Sequence, residues 1–143
     1  ELLIDDKVVG LYTHEQLQNG VNLAGNTKTP QHQQAVTAMQ YSKKRAHKAK
    51  PLRIFAALEH DVLRKQGVDL SDMNAVKTAM DAAIEKAKKK KSWQHGYFIK
   101  LSQAYYRLKP KQKELEKELL QMNQKLFKLC QPVKHRYLLR LKK

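Results

Sequence analysis

The sequence contains a single cysteine, Cys130, which excludes an internal disulfide. Because Cys130 has no C-x-x-C partner, a buried structural thiol is expected there rather than a nucleophile. Aromatic residues make up only 7% of the chain, and no apolar run approaches the ~18 residues that a membrane-spanning helix needs. Glycine-rich phosphate loops are also missing. These absences argue against a transmembrane, disulfide-stapled or P-loop protein.

Acidic residues are few as well. The chain has 13 Asp and Glu against 29 Lys and Arg, and its formal net charge is +16. Such a charge attracts nucleic acid, anionic membrane or an acidic partner without selecting among them. The candidate polyanion-binding residues are Lys43, Lys44, Arg45, Lys48, Lys88, Lys89, Lys90 and Lys91. They are either phosphate contacts or solvated helix ends that complement the helix dipole. No zinc-finger, RNA-recognition or basic-zipper pattern accompanies them.

Six histidines invite a search for a catalytic or metal site. Only His60 has neighbours typical of a catalytic or metal site, since it lies between Glu59 and Asp61. Adjacent helical residues point in different directions, so His60 and Asp61 are not expected to pair as a base and its orienting carboxylate. The sequence therefore predicts no catalytic residue, no metal ligand and no cofactor-binding residue in this chain.

The first 13 residues, ELLIDDKVVGLYT, contain two short β-rich runs on either side of Asp5 and Asp6. Aspartates at such a junction favour turns, so a β-hairpin is predicted. An isolated hairpin is marginal in water and needs more sheet. The C-terminal HRYLLRL has a period of two, with Tyr137, Leu139 and Leu141 on one face. The third strand is expected either from this tail or from sheet upstream.

Helical signals fill the middle of the chain. Thr13 and Gln16 form a capping-box pattern, Thr29 and Pro30 are typical of the start of a long helix, and Ser71 is expected to cap a later one. Apolar residues then recur at three- and four-residue steps. The last seam comprises Leu115, Leu119, Met122, Leu126 and Leu129. Helical spacing favours core packing over base stacking for the aromatic residues Tyr97, Phe98, Tyr105 and Tyr106.

These patterns predict a mainly α fold: a helical C-terminal appendage with a small N-terminal β-hairpin, which a C-terminal strand can join. The expected organisation is a hairpin and short helix over residues 1–24, a loop over 25–29, a helical region over 30–132 and an extended basic tail over 133–143.

The stretch LLIDDKVVGLYTHEQLQNGVNLA, followed by TKTPQHQQA, resembles the region just after the catalytic core of SGNH/GDSL-type serine hydrolases. The residues that fit the family pattern are Ile4, Asp5, Val9, Gly10, Gly20, Val21, Asn22, Leu23, Ala24, Thr29, Pro30, Gln34 and Ala35. The segment YFIKLSQAYYRLKPKQKELEKELLQMNQKLFKL and the later QPVKHR are similar more loosely. The resemblance thus extends over essentially the whole chain, most specifically up to Ala35.

The resemblance implies a three-layer α/β/α hydrolase domain upstream. Its nucleophilic Ser would lie in a GDS motif, its oxyanion donors would be a Gly and an Asn, and its base would come from a D-x-x-H motif. None of these motifs occurs in the 143 residues, so no catalytic position is carried over. The implied function is a non-catalytic accessory region of an esterase, partnered by the upstream hydrolase domain of the same polypeptide. The implied setting is an exported bacterial protein, periplasmic or secreted. A basic helical module that binds nucleic acid or another polyanion is the alternative.

Overall fold

The computed structural model describes residues 1–90 and 92–142. These residues form a mainly helical structure with a small three-stranded antiparallel sheet, so the predicted fold class is confirmed. The strands are β1 (Leu2–Ile4), β2 (Lys7–Gly10) and β3 (Tyr137–Leu139). The α-helices are α1 (His14–Gln18), α2 (Pro30–Lys48), α3 (Lys50–Leu58), α4 (Met73–Lys89), α5 (Trp93–Leu108) and α6 (Gln112–Leu129). A π-helical segment, Glu59–Leu63, follows α3, and 3₁₀ turns span Arg64–Gln66 and Lys109–Lys111.

The chain divides into two units. The first comprises Glu1–Lys44 and Met122–Lys143, and the second comprises Arg45–Gln121. The sheet belongs to the first unit, and the larger hydrophobic cluster belongs to the second.

In the first unit, the predicted hairpin is confirmed, and Asp5 and Asp6 form its turn. Ile4 pairs with Lys7 across a two-residue connection. Both aspartates have positive φ angles, 49° and 64°. A two-residue turn with both residues in this region is the type I′ turn, whose twist matches the right-handed twist of the strands. Aspartate is among the few residues other than glycine that tolerate this conformation.

The C-terminal tail provides the third strand, as one of the two alternatives predicted. β3 pairs antiparallel with β1, and the strand order is β2-β1-β3. The pairing extends beyond the strands, since the Arg140 N–H donates to the Glu1 carbonyl at 3.1 Å. β1 is therefore hydrogen-bonded on both sides, and its residues Leu2–Ile4 are all buried. The tail removes an open edge that would otherwise invite pairing with other chains.

Deleting residues 134–143 is expected to expose β1 to fast amide exchange, because an amide on that edge loses its hydrogen-bond partner. The Asp5 N–H, which donates to the Arg136 carbonyl at 3.0 Å, is the most direct reporter. Hydrogen–deuterium exchange of a peptide spanning residues 1–12 measures the effect, and a peptide from α4 serves as the internal control. Equal protection of β1 in the full and shortened chains would contradict this arrangement.

Two helix starts in the first unit follow the predicted caps. The Gln16 N–H donates to Thr13 Oγ1 at 3.2 Å, and the Thr13 N–H donates to the Gln16 side chain at 2.9 Å, so the capping box is confirmed. At the start of α2, the His32 N–H donates to Thr29 Oγ1 at 3.3 Å, and Pro30 is the first helical residue. These caps satisfy amides that have no partner within the helix.

In the second unit, the apolar stripes of α3, α4 and α5 meet in one cluster. Its buried members are Phe55, Leu58, Leu63, Val76, Met80 and Tyr105. Met73 has the spacing of the apolar α4 stripe but is exposed. The predicted cap is also displaced by one residue. Asp72 rather than Ser71 caps α4, and its carboxylate accepts from the Asn74 N–H at 2.8 Å.

Candidate functional site

The described residues contain neither a cluster of metal ligands nor a helix that could span a membrane. Among them, no group of three or more His, Cys, Asp or Glu side chains could hold a metal ion. Within residues 1–90 and 92–142, no helix is both long and apolar enough to cross a membrane. Three polar clusters bear on the sequence predictions, and each is described below from its contacts.

The first cluster is His60 with Asp61, and here the prediction that they cannot pair is wrong. His60 Nδ1 lies 3.1 Å from Asp61 Oδ1, and Lys65 Nζ lies 3.2 Å from the same oxygen. The two residues belong to the π-helical segment, where side-chain spacing differs from that of an α-helix. The hydrogen bond from His60, and secondarily that from Lys65, lowers the pKa of the Asp61 carboxyl. Both partners are exposed, so the geometry is that of a surface ion pair.

The second cluster is a largely buried polar network. The Glu59 carboxylate accepts a hydrogen bond from the Tyr105 hydroxyl at 3.0 Å and forms an ion pair with the Lys109 ammonium. The Glu59 and Lys109 side chains are only 16% and 19% exposed. Lys109 Nζ also lies 5.4 Å from the Phe55 ring centroid and 5.6 Å from that of Tyr105. Burial, then the nearby Glu59 charge, raises the pKa of Tyr105. Since these groups satisfy one another, we assign the network a structural role.

The third cluster connects the hairpin turn to the tail. The Asp5 carboxylate accepts from the Arg136 N–H at 2.9 Å and lies 2.6 Å from His135 Nδ1. The Arg136 guanidinium forms an ion pair with Asp6. The backbone hydrogen bond from Arg136, and secondarily the contact with His135, lowers the pKa of Asp5. The ionised Asp5 therefore stabilises the attachment of the tail.

Stability should depend on this carboxylate in acid. Because the pKa of Asp5 is lower in the folded than in the unfolded chain, its contribution is complete above the unfolded pKa of ~3.9 and is lost as the pH falls through the folded pKa. Asp5→Asn, which the turn tolerates, should lower the thermal midpoint at pH 7, and the difference from the parent chain should vanish in strong acid. Asp6→Asn is the matched control, since Asp6 is in the same turn but contacts only an exposed guanidinium. A constant difference for Asp5→Asn across the acid range would contradict the assignment.

Several residues that fit the family pattern have identifiable structural roles. Asn22 Oδ1 accepts from the Ala24 N–H at 2.9 Å and closes a turn in the loop. The Gln34 side chain donates to the carbonyls of Leu129 and Gln131 at 2.8 Å and 2.7 Å. These carbonyls stand at the C-terminal end of α6 and lack partners within the helix. Gln34 thus ties the start of α2 to the end of α6 within the first unit.

Gly10, another residue that fits the SGNH/GDSL pattern, lies directly against the Tyr12 ring. A Cβ at Gly10 would overlap the Tyr12 ring. Asn26, in the loop before α2, donates to the Val9 carbonyl at 2.8 Å and approaches the Tyr12 hydroxyl at 3.5 Å. The loop is therefore fixed to β2, and these residues position the backbone rather than a reacting group.

The predicted basic residues on α2 do not act as one group. Lys43, Lys44, Arg45 and Lys48 project over about half the circumference of the helix at 100° per residue. Lys48 Nζ lies 2.8 Å from Glu118 Oε2. This run is spread out and partly neutralised.

The basic run at the end of α4 is more concentrated. Lys88 Nζ lies 2.6 Å from Glu85 Oε1, while Lys89 ends the helix and Lys90 follows it. All three lysines are exposed. Lys91 lies outside the described residues. The structure does not test phosphate binding by either run, so this role stays a prediction.

The aromatic residues near this run divide into two sets. Tyr105 is buried, and Phe98 and Tyr106 pack against the core, as predicted. Tyr97 is 58% exposed and Trp93, which the sequence analysis did not select, is 78% exposed. A helical wheel of α5 could have identified both residues as exposed, because Trp93 and Tyr97 lie on the side opposite to the buried Ser102.

No family model matches this chain, and no curated protein matches it. A solved structure does match. BT4096, a gut microbial diltiazem-metabolizing enzyme, matches with a TM-score of 0.73 and 27% sequence identity over 95% of this chain and 29% of that one. This chain resembles part of a larger enzyme. It spans less than a third of the length of the diltiazem-metabolizing enzyme, and it does so with almost all of its own residues.

Cys130 requires a correction. The sequence predicted a buried thiol, but Cys130 is exposed just after the end of α6. Its N–H donates to the Leu126 carbonyl at 3.1 Å, so its backbone closes the last helical turn. The apolar seam of α6 ends at Leu129, which is partly buried.

Proposed function

We propose that this chain is a non-catalytic C-terminal accessory region of an SGNH/GDSL-type serine esterase, and that it completes or covers the hydrolase domain of the same polypeptide. The observation that carries the proposal is the match of 95% of the chain to 29% of the diltiazem-metabolizing enzyme at 27% identity. A region that corresponds to less than a third of an enzyme, and that has no GDS or D-x-x-H motif of its own, is suited to a supporting role.

The resemblance to SGNH hydrolases supports ester hydrolysis as the activity of the parent protein. The sequence resemblance to SGNH hydrolases rests on turn and cap residues such as Asp5, Gly10, Asn22 and Gln34, and each of these has a specific contact or conformation. On this proposal the parent is an exported bacterial protein.

The isolated chain should not hydrolyse p-nitrophenyl acetate faster than a control protein of equal basic charge. A serine esterase needs a nucleophile, a base that activates it and an oxyanion hole as a set, and this sequence lacks the motifs that supply them. Initial rates over a range of substrate concentrations provide the measurement. Saturable turnover that a serine-directed inhibitor abolishes would overturn the non-catalytic assignment.

A graft tests the accessory role directly. Removing the matched 29% from the diltiazem-metabolizing enzyme should lower its thermal midpoint or soluble yield, and inserting this chain in its place should restore part of the loss. An unrelated helical domain of similar length is the control insert. Restoration by both inserts, or by neither, would argue against the proposal. The reading frame upstream of Glu1 should also encode a GDS motif and, later, a D-x-x-H motif.

A further inference from the structure

One face of α5 combines exposed rings with uncompensated positive charge. Trp93, Tyr97, Lys100 and Arg107 occur at positions i, i+4, i+7 and i+14 of the helix. At 100° per residue these positions form a single stripe along the helix, about 21 Å in length. All four side chains are exposed. We call this set the α5 stripe.

The charges that α5 itself carries are all positive. α5 contains no acidic residue from its first position to its last. The carboxylates that contact α5 are those of Glu59 and Asp81, which accept hydrogen bonds from Tyr105 and Tyr106, two residues outside the stripe. Lys89 and Lys90 precede α5 in the chain, and Glu85 on α4 is paired with Lys88. Among the described residues, neither Lys100 nor Arg107 belongs to an ion pair. The stripe therefore presents a positive field that a polyanion would neutralise.

The rings are placed so that a ligand can reach their faces. Trp93 and Tyr97 lie one helical turn apart, about 6 Å along the axis. Both rings are exposed, whereas Ser102, on the opposite side of the helix from Trp93, is buried in the core. Two exposed rings beside basic side chains are the combination that binds single-stranded nucleic acid, because bases stack on rings while phosphates meet Lys and Arg.

We propose that the α5 stripe, with Lys89 from the end of α4, binds single-stranded nucleic acid without sequence preference. A duplex would fit less well, because its base faces are already stacked and offer nothing to Trp93 and Tyr97. An anionic membrane would also fit less well. Helices that lie in a membrane interface bury a continuous apolar face, whereas the stripe beyond Tyr97 continues with Lys100 and Arg107.

The sole tryptophan of the chain makes stacking directly measurable. Adding an oligo-dT of about 12 nucleotides, within the ~4–16 nucleotides of known single-strand sites, should quench Trp93 fluorescence in the 143-residue chain. If about three phosphates are contacted, log affinity should fall with log salt concentration with a slope of roughly −2 between about 50 and 200 mM salt. Binding without quenching would overturn the stacking arrangement.

Matched variants distinguish binding by the α5 stripe from general attraction by the net charge of the chain. With labelled oligo-dT, Tyr97→Ala should weaken binding by at least about fivefold, the lower bound for one stacked base. Phe127→Ala removes a ring from α6 that is 70% exposed, compared with 58% for Tyr97, and should have no such effect. Lys100→Gln with Arg107→Gln should reduce the salt slope by about 1.4 in magnitude, whereas Lys28→Gln with Lys134→Gln removes the same charge and should leave the slope nearly unchanged.

Three outcomes would overturn the proposal. The first is an equal loss of affinity in both charge-matched double variants, which would indicate nonspecific attraction by the net charge. The second is a blue shift of Trp93 emission with phosphatidylserine vesicles but no response to oligo-dT, which would assign the stripe to a lipid surface. The third is tighter binding of a polyuronate than of oligo-dT at equal salt, which would assign it to an acidic polysaccharide.

Discussion

Lys109→Ala is expected to lower the free energy of unfolding by about 3 kcal/mol, because it leaves the Glu59 carboxylate largely buried and, among the described residues, with the Tyr105 hydroxyl as its remaining side-chain partner. The loss also includes the contacts of the ammonium with the Phe55 and Tyr105 rings. Chemical denaturation monitored by circular dichroism measures the change. The size of the effect comes from desolvation rather than from the mere presence of an ion pair.

Lys65→Ala is the matched control for this experiment. Lys65 also pairs with a carboxylate, that of Asp61, but both side chains are exposed, so Lys65→Ala should leave the free energy of unfolding nearly unchanged. Glu59→Gln combined with Lys109→Met should cost less than the sum of the single changes, since no buried charge remains unpaired. If Lys109→Ala and Lys65→Ala change the free energy of unfolding equally, the Glu59–Lys109 pair is screened by water as fully as the exposed Asp61–Lys65 pair.

Leu119→Ala is expected to cost about 2 to 5 kcal/mol, and Met122→Ala should cost a similar amount, because both side chains are buried on α6. The adjacent Leu120 provides a strict comparison. It is 59% exposed whereas Leu119 is 5% exposed, so Leu120→Ala should change stability by no more than about 0.5 kcal/mol.

Thermal and denaturant midpoints of the three variants give the test. Since the leucine substitutions are chemically identical and occur at neighbouring positions of one helix, differences in helix propensity cancel. If Leu119→Ala and Leu120→Ala destabilise the chain equally, the α6 seam does not face the interior.

Local signals in the sequence predicted local structure well. Three features depend on residues within a few positions of one another, so they can be predicted from the sequence directly. They are the Thr13–Gln16 capping box, the Thr29–Pro30 helix start and the Asp5–Asp6 turn. The α6 seam could also be predicted from the sequence, because the helical period determines which side chains share a face.

Contacts between distant segments could mostly not be predicted; the exception is the tail strand, which the period of two in HRYLLRL offered as one of two alternatives. Glu59 and Lys109 are 50 residues apart, and no spacing rule connects them. The π-helical segment inserts an irregular step that also changed the relation between His60 and Asp61. Tyr97 was assigned to the core because helical spacing identifies a shared face but does not say which face meets the core. Cys130 was assigned to the interior from its residue type alone.

The position of β1 in the middle of the sheet has a consequence for the order of folding. β1 meets β2 through a two-residue turn, whereas its pairing with β3 brings together Glu1 and Arg140, which are 139 positions apart. Closing a loop of that length costs about 4 kcal/mol in chain entropy beyond a constant. The hairpin should therefore form before β3 pairs with it, and completion of the sheet is the step of highest contact order in the first unit.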